Sequence, residues 1–145
     1  MIKEYKNILV AVDLTEQSDL VVGRALAVAG ACDANISLLH VVEYVPVEPM
    51  GEALLPAVDI ENELVEGATR RLTDLVERLG IADVTRRVEN GNTKAEVVRV
   101  ANEIDADLVI LGSRERHGLA VMLNLAEDTI LHAAPCDVLA VRVGR

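Results

Sequence analysis

The stretch 7-NILVAV-12 is a short run rich in β-branched residues, and Asp13 ends it. A run of this length and composition predicts a strand that is buried on both faces of a sheet. The next residues, 14-LTEQSDL-20, are polar and rich in helix-capping types, and Leu20 to Ala31 has the small apolar residues of a helix that packs close to a sheet. This part of the chain therefore predicts a β-α unit.

Alternating strands and helices continue to the end of the chain. Further strands are predicted at 36–42, 83–89, 107–111 and 137–143. Further helices are predicted at 60–79, at 119–134 and from the capping box 93-TKAE-96 onward. The segment 43–59, with three prolines and a glycine, is predicted to be a loop. Together these elements predict an α/β fold with one open, parallel, five-stranded sheet and helices on both faces.

Two of these elements carry finer predictions. In helix 60–79, Leu64 falls with Leu72 on an apolar face, and Gly80 ends the helix. In strand 83–89, Val84 and Val88 alternate with polar residues, which is typical of a half-exposed edge strand.

Composition limits the classes of partner. The 145 residues favour one domain, 1–145, and with two Tyr and no Phe or Trp the core must be aliphatic. A net charge of −10 would repel a nucleic-acid backbone or an anionic bilayer, so neither is expected as a partner. No apolar stretch approaches the ~20 residues that cross a membrane.

Cysteine and histidine spacing gives no metal site. Cys32 and Cys136 are isolated, so we expect small apolar fillers in a reduced, cytoplasmic protein. His40, His117 and His132 are too widely spaced for a ligand set. We expect His40 to be a hydrogen-bonded core residue, and only His117 falls near the predicted site.

The carboxyl ends of the strands should carry the site. In an open parallel sheet, ligands bind beyond these ends, where the winding direction reverses. The first and fourth strands are expected to flank that point, and they end at Asp13 and Gly112. From its position, Asp13 fits equally well as a ribose-binding carboxylate or as a simple helix cap.

Several segments together resemble the universal stress protein family. They are NILVAVDLTEQS, SLLHVVE, DADLVILGS and HAAPCDVLAV, with Gly91 ahead of the third helix. The resemblance covers nearly the whole chain. It implies a Rossmann-like domain with sheet order 3-2-1-4-5, in which the last strand pairs two subunits. It also implies one of two branches: one binds ATP through a Gly-x2-Gly-x9-Gly-Ser/Thr turn after the fourth strand, and the other, similar to universal stress protein A, lacks that turn.

The turn after the fourth strand has lost most of the ATP-binding pattern. Gly112 fills the first glycine position and Ser113 follows it, but Glu115 occupies the second. Counting back from Pro135 puts Asn124 at the third glycine and Leu125 at the hydroxyl position, with the spacing one residue short. Glycines let backbone N–H groups approach phosphate oxygens closely, whereas Glu115 adds a negative charge. Two unit charges ~4 Å apart repel by ~1 kcal/mol in water and ~4 kcal/mol near a protein surface.

Some residues favour the other branch. Arg114 and Arg116 could reach a phosphate, and Asp13 is in place. Val41 matches the position whose backbone contacts adenine in the ATP-binding branch of the family that the chain resembles. Because most of the ATP-binding pattern is lost, we nevertheless expect no cofactor. ATP with Mg²⁺ is the alternative.

The last strand and the absence of a catalytic pair complete the prediction. Leu139 and Val141 alternate with Val138, Ala140 and Val143, so the strand is apolar on both sides. Pairing with a second copy would cover such an edge.

Because Asp13 has no identifiable catalytic partner, we expect a homodimeric interaction module with an unknown protein partner rather than an enzyme.

Overall fold

The fold is a five-stranded parallel sheet covered by helices. The computed structural model describes residues 4–43, 54–81, 83–113 and 130–143. The strands are β1 (Asn7–Ala11), β2 (Asn35–Val42), β3 (Thr85–Asn90), β4 (Leu108–Ser113) and β5 (Asp137–Arg142). The helices are α1 (Ser18–Cys32), α2 (Leu54–Leu79) and α3 (Thr93–Glu103), and residues 130–133 are also helical.

The strand order β3-β2-β1-β4-β5 confirms the predicted topology. Every pairing is parallel, with Ala11 beside Leu39 and Val10 beside Ile110. The chain winds outward from β1 to β3, then crosses back to β4 and β5. All carboxyl ends therefore meet at one edge, and the winding reverses between β1 and β4.

Successive strand residues point to opposite faces, so the core has two halves. We call the half under α1 and α2 the upper cluster; it includes Ile8, Val10, Leu38, Leu72 and Ile110. The lower cluster lies under α3 and includes Leu9, Leu39, Val97, Val109 and Ile130. The aliphatic strands are thus buried on both sides, as a parallel sheet requires.

Helix α2 begins earlier than predicted. It starts at Leu54, inside the segment that was expected to be a loop, and residues 44–53 of that segment lie outside the described residues. Pro56 is tolerated there because a first-turn N–H has no intrahelical acceptor to lose. Leu64, on the predicted apolar face, is 43% exposed, and from Ile60 onward the first fully buried residue of α2 is Ala68.

Helix α3 does not start with the predicted capping box. The N-cap is Asn92, whose side chain accepts from the N–H of Ala95, so Thr93 is already the first helical residue. The predicted edge strand and the end of α2 at Gly80, which has φ +64°, agree with the structure. For the predicted helix 119–134, residues 130–134 are described, and of these 130–133 are helical.

Candidate functional site

The carboxyl edge between β1 and β4 brings four predicted residues to neighbouring strand ends. Asp13 follows β1, Gly112 and Ser113 end β4, and Val41 lies near the end of β2. Val41 is half-buried, pairs with Glu89 of β3 and packs on the lower cluster. Their neighbourhood follows from the parallel sheet, since strands that pair in register end at the same edge.

The carboxylate of Asp13 organises the turn that leads into α1. Its Oδ1 accepts hydrogen bonds from the Thr15 N–H (3.1 Å), the Thr15 hydroxyl (2.8 Å) and the Ser18 hydroxyl (3.1 Å). Asp13 is exposed, whereas Ser18 is only 2% exposed. The N-cap position belongs to Gln17, which makes no side-chain capping bond. Asp13 therefore supports the turn without being the N-cap residue itself.

The sequence indicates no catalytic partner for Asp13, and its hydrogen-bond partners, Thr15 and Ser18, were not predicted from it. A signal was present in 13-DLTEQS-18, because an Asp followed two residues later by Thr is typical of a side-chain-stabilised turn.

The residue after Asp13 has an unusual backbone. Leu14 has φ +60°, and its side chain is buried in the upper cluster. A left-handed conformation costs a residue with a Cβ atom about 1–2 kcal/mol. Arg71 of α2 donates a hydrogen bond to the Leu14 carbonyl and so ties this turn to the helix. Such strain often occurs at functional sites, and here it lies next to the predicted one.

Gly112 is closely packed against side chains inside the protein. A Cβ atom at this position would lie 3.3 Å from Val143 Cγ1 and 3.3 Å from Val21 Cγ2. Gly112 is not one of the described glycines with positive φ. Ser113 extends the same contact, because its carbonyl accepts from the Val143 N–H at 3.0 Å.

His40 connects β2 to the end of β1. Its Nδ1 donates to the Val12 carbonyl at 2.8 Å, and the ring is half-buried. The bond accounts for a histidine in this strand, as expected from the sequence.

The N-terminus of α3 lies at the same edge and already holds a carboxylate. Glu43, which follows β2, accepts from the Thr93 N–H at 2.6 Å. Hydrogen bonds from the Thr93 side chain, and then from its backbone, lower the pKa of Glu43. Just before this helix Gly91 has φ +148°, a conformation that favours glycine. Nothing in the sequence pattern indicated the Glu43 contact.

The remaining predicted site residues lie outside the described residues. They are Arg114, Glu115, Arg116, His117, Asn124 and Leu125. Four of the six predicted nucleotide-binding residues are described, and they lie at this edge of the sheet: Asp13, Val41, Gly112 and Ser113.

The predicted dimer strand forms an edge of the sheet. Val138 and Leu139 are half-buried and Ala140 is exposed, while Val141 and Val143 are buried within the protomer. Val143 follows the strand and packs in the upper cluster with Leu139 and Val141, so its predicted place on the opposite side was wrong. Of these five predicted residues, Val138, Leu139 and Ala140 are at least partly exposed and could contact a partner.

Neither a metal cluster nor a membrane span occurs in the described ranges. No three His, Cys, Asp or Glu side chains come together there as a potential ion site. None of the helices described is both long and apolar enough to cross a bilayer.

Known proteins resemble this chain in sequence and in fold. Residues 4–142 match the model of the universal stress protein family. Universal stress protein A homologs 1 and 2 of Coxiella burnetii are 36% and 35% identical, over 94% and 96% of this chain and 96% of each relative.

Two solved structures share the fold. Universal stress protein UspA from Lactobacillus plantarum has a TM-score of 0.74 at 24% identity, covering 97% of this chain and 100% of that one. A universal stress protein in complex with cAMP has a TM-score of 0.70 at 22% identity, covering 97% of this chain and 99% of that one. The family match over nearly the whole chain and the identity to the curated relatives lead to one conclusion: this chain belongs to the universal stress protein family.

Proposed function

We propose that this protein is a homodimeric regulatory module that acts in the cytosol by binding a protein partner and does not hold ATP tightly. The observation that carries the proposal is that two residues matching the ATP-binding pattern have structural roles that need no nucleotide. Gly112 makes room for Val21 and Val143, and Asp13 supports the turn through Thr15 and Ser18. Their presence is therefore no argument for a nucleotide.

The sequence of the turn after β4 supports the same proposal. Glu115, Asn124 and Leu125 stand where the ATP-binding branch has two glycines and a hydroxyl residue. A hydroxyl hydrogen bond contributes roughly 0.5–1.5 kcal/mol, and repulsion from a carboxylate adds to its loss. Weakening by several kcal/mol moves a micromolar site, at ~8 kcal/mol, toward millimolar affinity.

An equilibrium titration with a fluorescent ATP analogue and Mg²⁺ tests the proposal. We expect no saturation below about the millimolar range. Saturation at low micromolar concentration, abolished by Asp13→Ala in a variant that still folds, would show that the protein is a nucleotide-binding member instead.

Nucleotide binding is the second candidate function. It is favoured by the exposed carboxylate of Asp13 beside the ends of β2 and β4, and by the cAMP complex of a protein with the same fold. On this alternative ATP or AMP would be held by Asp13, Val41, Gly112, Ser113, Arg114 and Arg116, with slow hydrolysis as a further step. Mass spectrometry of the purified, denatured protein separates the two functions, because tight binding predicts a co-purified nucleotide at a near-stoichiometric ratio.

A further inference from the structure

Helix α2 is longer than the sheet that it covers. Its 26 residues span about 39 Å, whereas the eight residues of β2 span about 26 Å. Because α2 connects two parallel neighbouring strands, it runs from their carboxyl ends back to their amino ends. From Ile60 onward, the first residue of α2 that packs against the upper cluster is Val65. The part of α2 around Ile60 therefore lies beyond the carboxyl ends of the strands.

Two aliphatic side chains are exposed on this part of α2. Ile60 and Leu64 are each 43% exposed, and their spacing of four residues places them side by side on one face of the helix. Neither belongs to the upper or the lower cluster. These two side chains, with Glu63, Glu66 and Arg70, line an open groove of about 490 Å³. The fold of one protomer thus leaves an apolar pair partly in water.

The charge around this groove is mainly negative. Between Ile60 and Arg70 the chain has three carboxylates and no Lys or Arg; the carboxylates are Glu61, Glu63 and Glu66. Glu63 and Glu66 are exposed, and neither forms an ion pair with any described residue. A cationic group could therefore bind them without displacing a partner inside the protomer. The groove fits a segment that has positive charge beside apolar side chains.

A glycine leaves the same helix face open. Gly67 follows Glu63 by four residues and Leu64 by three, so it lies on the face of both. A Cβ atom there would meet only Arg70 Nη2, at 3.8 Å, which is an ordinary contact. Packing among the described residues therefore does not require glycine, although glycine is unfavourable inside a helix. The missing side chain lets another chain approach the helix backbone closely.

We propose that this face of α2 binds a basic amphipathic helix of a partner protein. We call it the α2 docking face; it consists of Ile60, Glu63, Leu64, Glu66 and Gly67. Apolar side chains of the partner cover the aliphatic pair, and its Lys or Arg side chains pair with the carboxylates, as in other complexes of a helix in a groove. The inference rests on the proposed function, since it names the surface and the chemistry through which a protein partner is bound.

A second copy of this chain is a poorer occupant of the α2 docking face. It has a net charge of −10 and brings Arg70 to such a contact, but also the same three carboxylates. Most of the negative charge would then remain unpaired. A basic helix instead neutralises it, so the partner's chemistry is opposite to that of this chain.

The first test uses a synthetic peptide as the partner. The probe is a fluorescent helix of about 18 residues, with Leu at positions i, i+3, i+4 and i+7 and Lys on the other faces. Fluorescence anisotropy measures its binding to the intact protein. We expect saturation below about 1 mM and weaker binding as salt is added, because salt screens exposed charges. A peptide with Glu in place of Lys should not bind. Equal binding of the two peptides, or binding of neither, overturns the proposal.

Two double variants test the apolar contact. Ile60→Ser with Leu64→Ser should weaken binding of the Lys peptide about tenfold, because the apolar area that the peptide buries is lost. The matched control is Leu20→Ser with Leu131→Ser, which removes two aliphatic side chains, 55% and 51% exposed, from other surfaces. An equal loss in both double variants, or a loss in neither, overturns the proposal.

Two further double variants test the charge. Glu63→Gln with Glu66→Gln should weaken binding of the Lys peptide about threefold and reduce its dependence on salt. Glu16→Gln with Glu77→Gln changes the net charge equally at exposed positions outside the docking face. If both pairs weaken binding equally, the peptide responds only to net charge and the assignment to α2 is wrong.

A single variant covers the case in which a double variant fails to fold by circular dichroism. Gly67→Lys should preserve the helix, because Lys is favoured over Gly there and follows Glu63 by four residues, the better order for an ion pair. The new cation repels the Lys peptide and fills the space above the glycine, so binding should weaken about tenfold. Gly23→Lys on α1, where a Cβ would meet nothing within 4 Å, is the control. Unchanged binding in Gly67→Lys refutes the proposal.

Sedimentation velocity distinguishes a partner helix from a second copy. Ile60→Ser with Leu64→Ser should leave the mass of the protein unchanged, and a fall in mass would assign the α2 face to self-association and overturn the proposal. Failure here is separate from failure of the proposed function. Unchanged peptide binding in the α2 variants removes only the docking face, whereas micromolar saturation with ATP removes the proposed function.

Discussion

At Gly112 a single methyl group would meet two valine side chains, both 3.3 Å away and on different elements. The sequence suggested that this glycine serves a phosphate, because it fills the first position of a motif. The structure shows that Val21 and Val143 approach it closely, which favours glycine without any phosphate. A glycine that matches a ligand-binding motif can therefore be explained by packing against distant segments of the same chain.

Gly112→Ala should destabilise the protein by about 1–3 kcal/mol, the usual cost of overpacking. The urea midpoint of unfolding measures this. Gly23→Ala is the control: its Cβ would meet nothing within 4 Å, and Ala is favoured over Gly in a helix, so stability should rise by about 1 kcal/mol. Equal stability of Gly112→Ala and the wild type would contradict the packing role.

Asp13→Ala should lower the free energy of unfolding by about 1–3 kcal/mol, because the buried Ser18 hydroxyl loses its acceptor. Asp13→Asn keeps an acceptor oxygen and should lose less. Chemical denaturation of the two variants side by side checks the order, and the reverse order would show that the charge rather than the hydrogen bonds matters.

At the scale of elements, the start of α3 combines a local cap with a distant one. Asn92 bonds the N–H of Ala95 at 3.0 Å, and Glu43, fifty residues before Thr93, bonds the N–H of Thr93. Both satisfy donors that have no partner within the helix. Local sequence pointed to Thr93 as the cap, yet the neighbouring Asn92 takes that place.

Asn92→Ala should therefore cost about 1 kcal/mol, as loss of an N-cap does. Thr93→Ala should cost less, since Thr93 is inside the helix and its contact with Glu43 is exposed. Thermal unfolding of both variants distinguishes the two possible caps. A larger loss of stability in Thr93→Ala would support the capping box predicted from the sequence.

Acid should weaken this junction through Glu43. Its pKa is lowered in the folded protein from an ordinary value of 4.5, chiefly by the bonds from Thr93. The stabilisation is thus complete above that ordinary value and is lost as the pH falls through the lowered, folded pKa.

Glu43→Gln should flatten the dependence of the urea midpoint on pH in the acidic range. The variant is expected to be less stable than the wild type at neutral pH and to approach it as the pH falls below 4.5. Glu77→Gln on the exposed surface of α2 is the control for the loss of one carboxylate. Parallel pH profiles for wild type and Glu43→Gln would contradict the assignment.

For the molecule as a whole, the β5 edge of the sheet is the predicted site of dimer assembly. The β5 edge presents Val138, Leu139 and Ala140 between the exposed Asp137 and Arg142. An apolar edge can be covered by an isologous contact with a second copy.

Ala140→Glu should convert a dimer formed through β5 into a monomer. Ala140 is exposed in the protomer, so the substitution should leave the fold intact. Sedimentation equilibrium measures the mass, with Ala27→Glu, at an exposed position of α1, as the matched control. A dimer that survives Ala140→Glu but not Ala27→Glu would move the interface to α1.

The amino-acid sequence alone was enough to predict the order of the described elements, the parallel sheet and the edge position of β3. Short β-branched runs and helical periodicity report whether a segment is buried, and burial on both faces allows few arrangements. The same reasoning brought Asp13 and Gly112 to one edge, because parallel strands in register end together. Val41 and Ser113 were indicated only by the resemblance to the family.

Contacts between side chains on distant segments, in contrast, are seen only in the folded protein. Arg71 binds the Leu14 carbonyl across 57 positions of sequence, Glu43 reaches Thr93, and Arg99 joins α3 to β3. No periodicity encodes such contacts, since they depend on side-chain reach and on donors left without partners at turns and helix ends. The physical reason is that burial patterns are local in sequence, whereas the pairing of polar groups is settled only when distant segments come within hydrogen-bond distance.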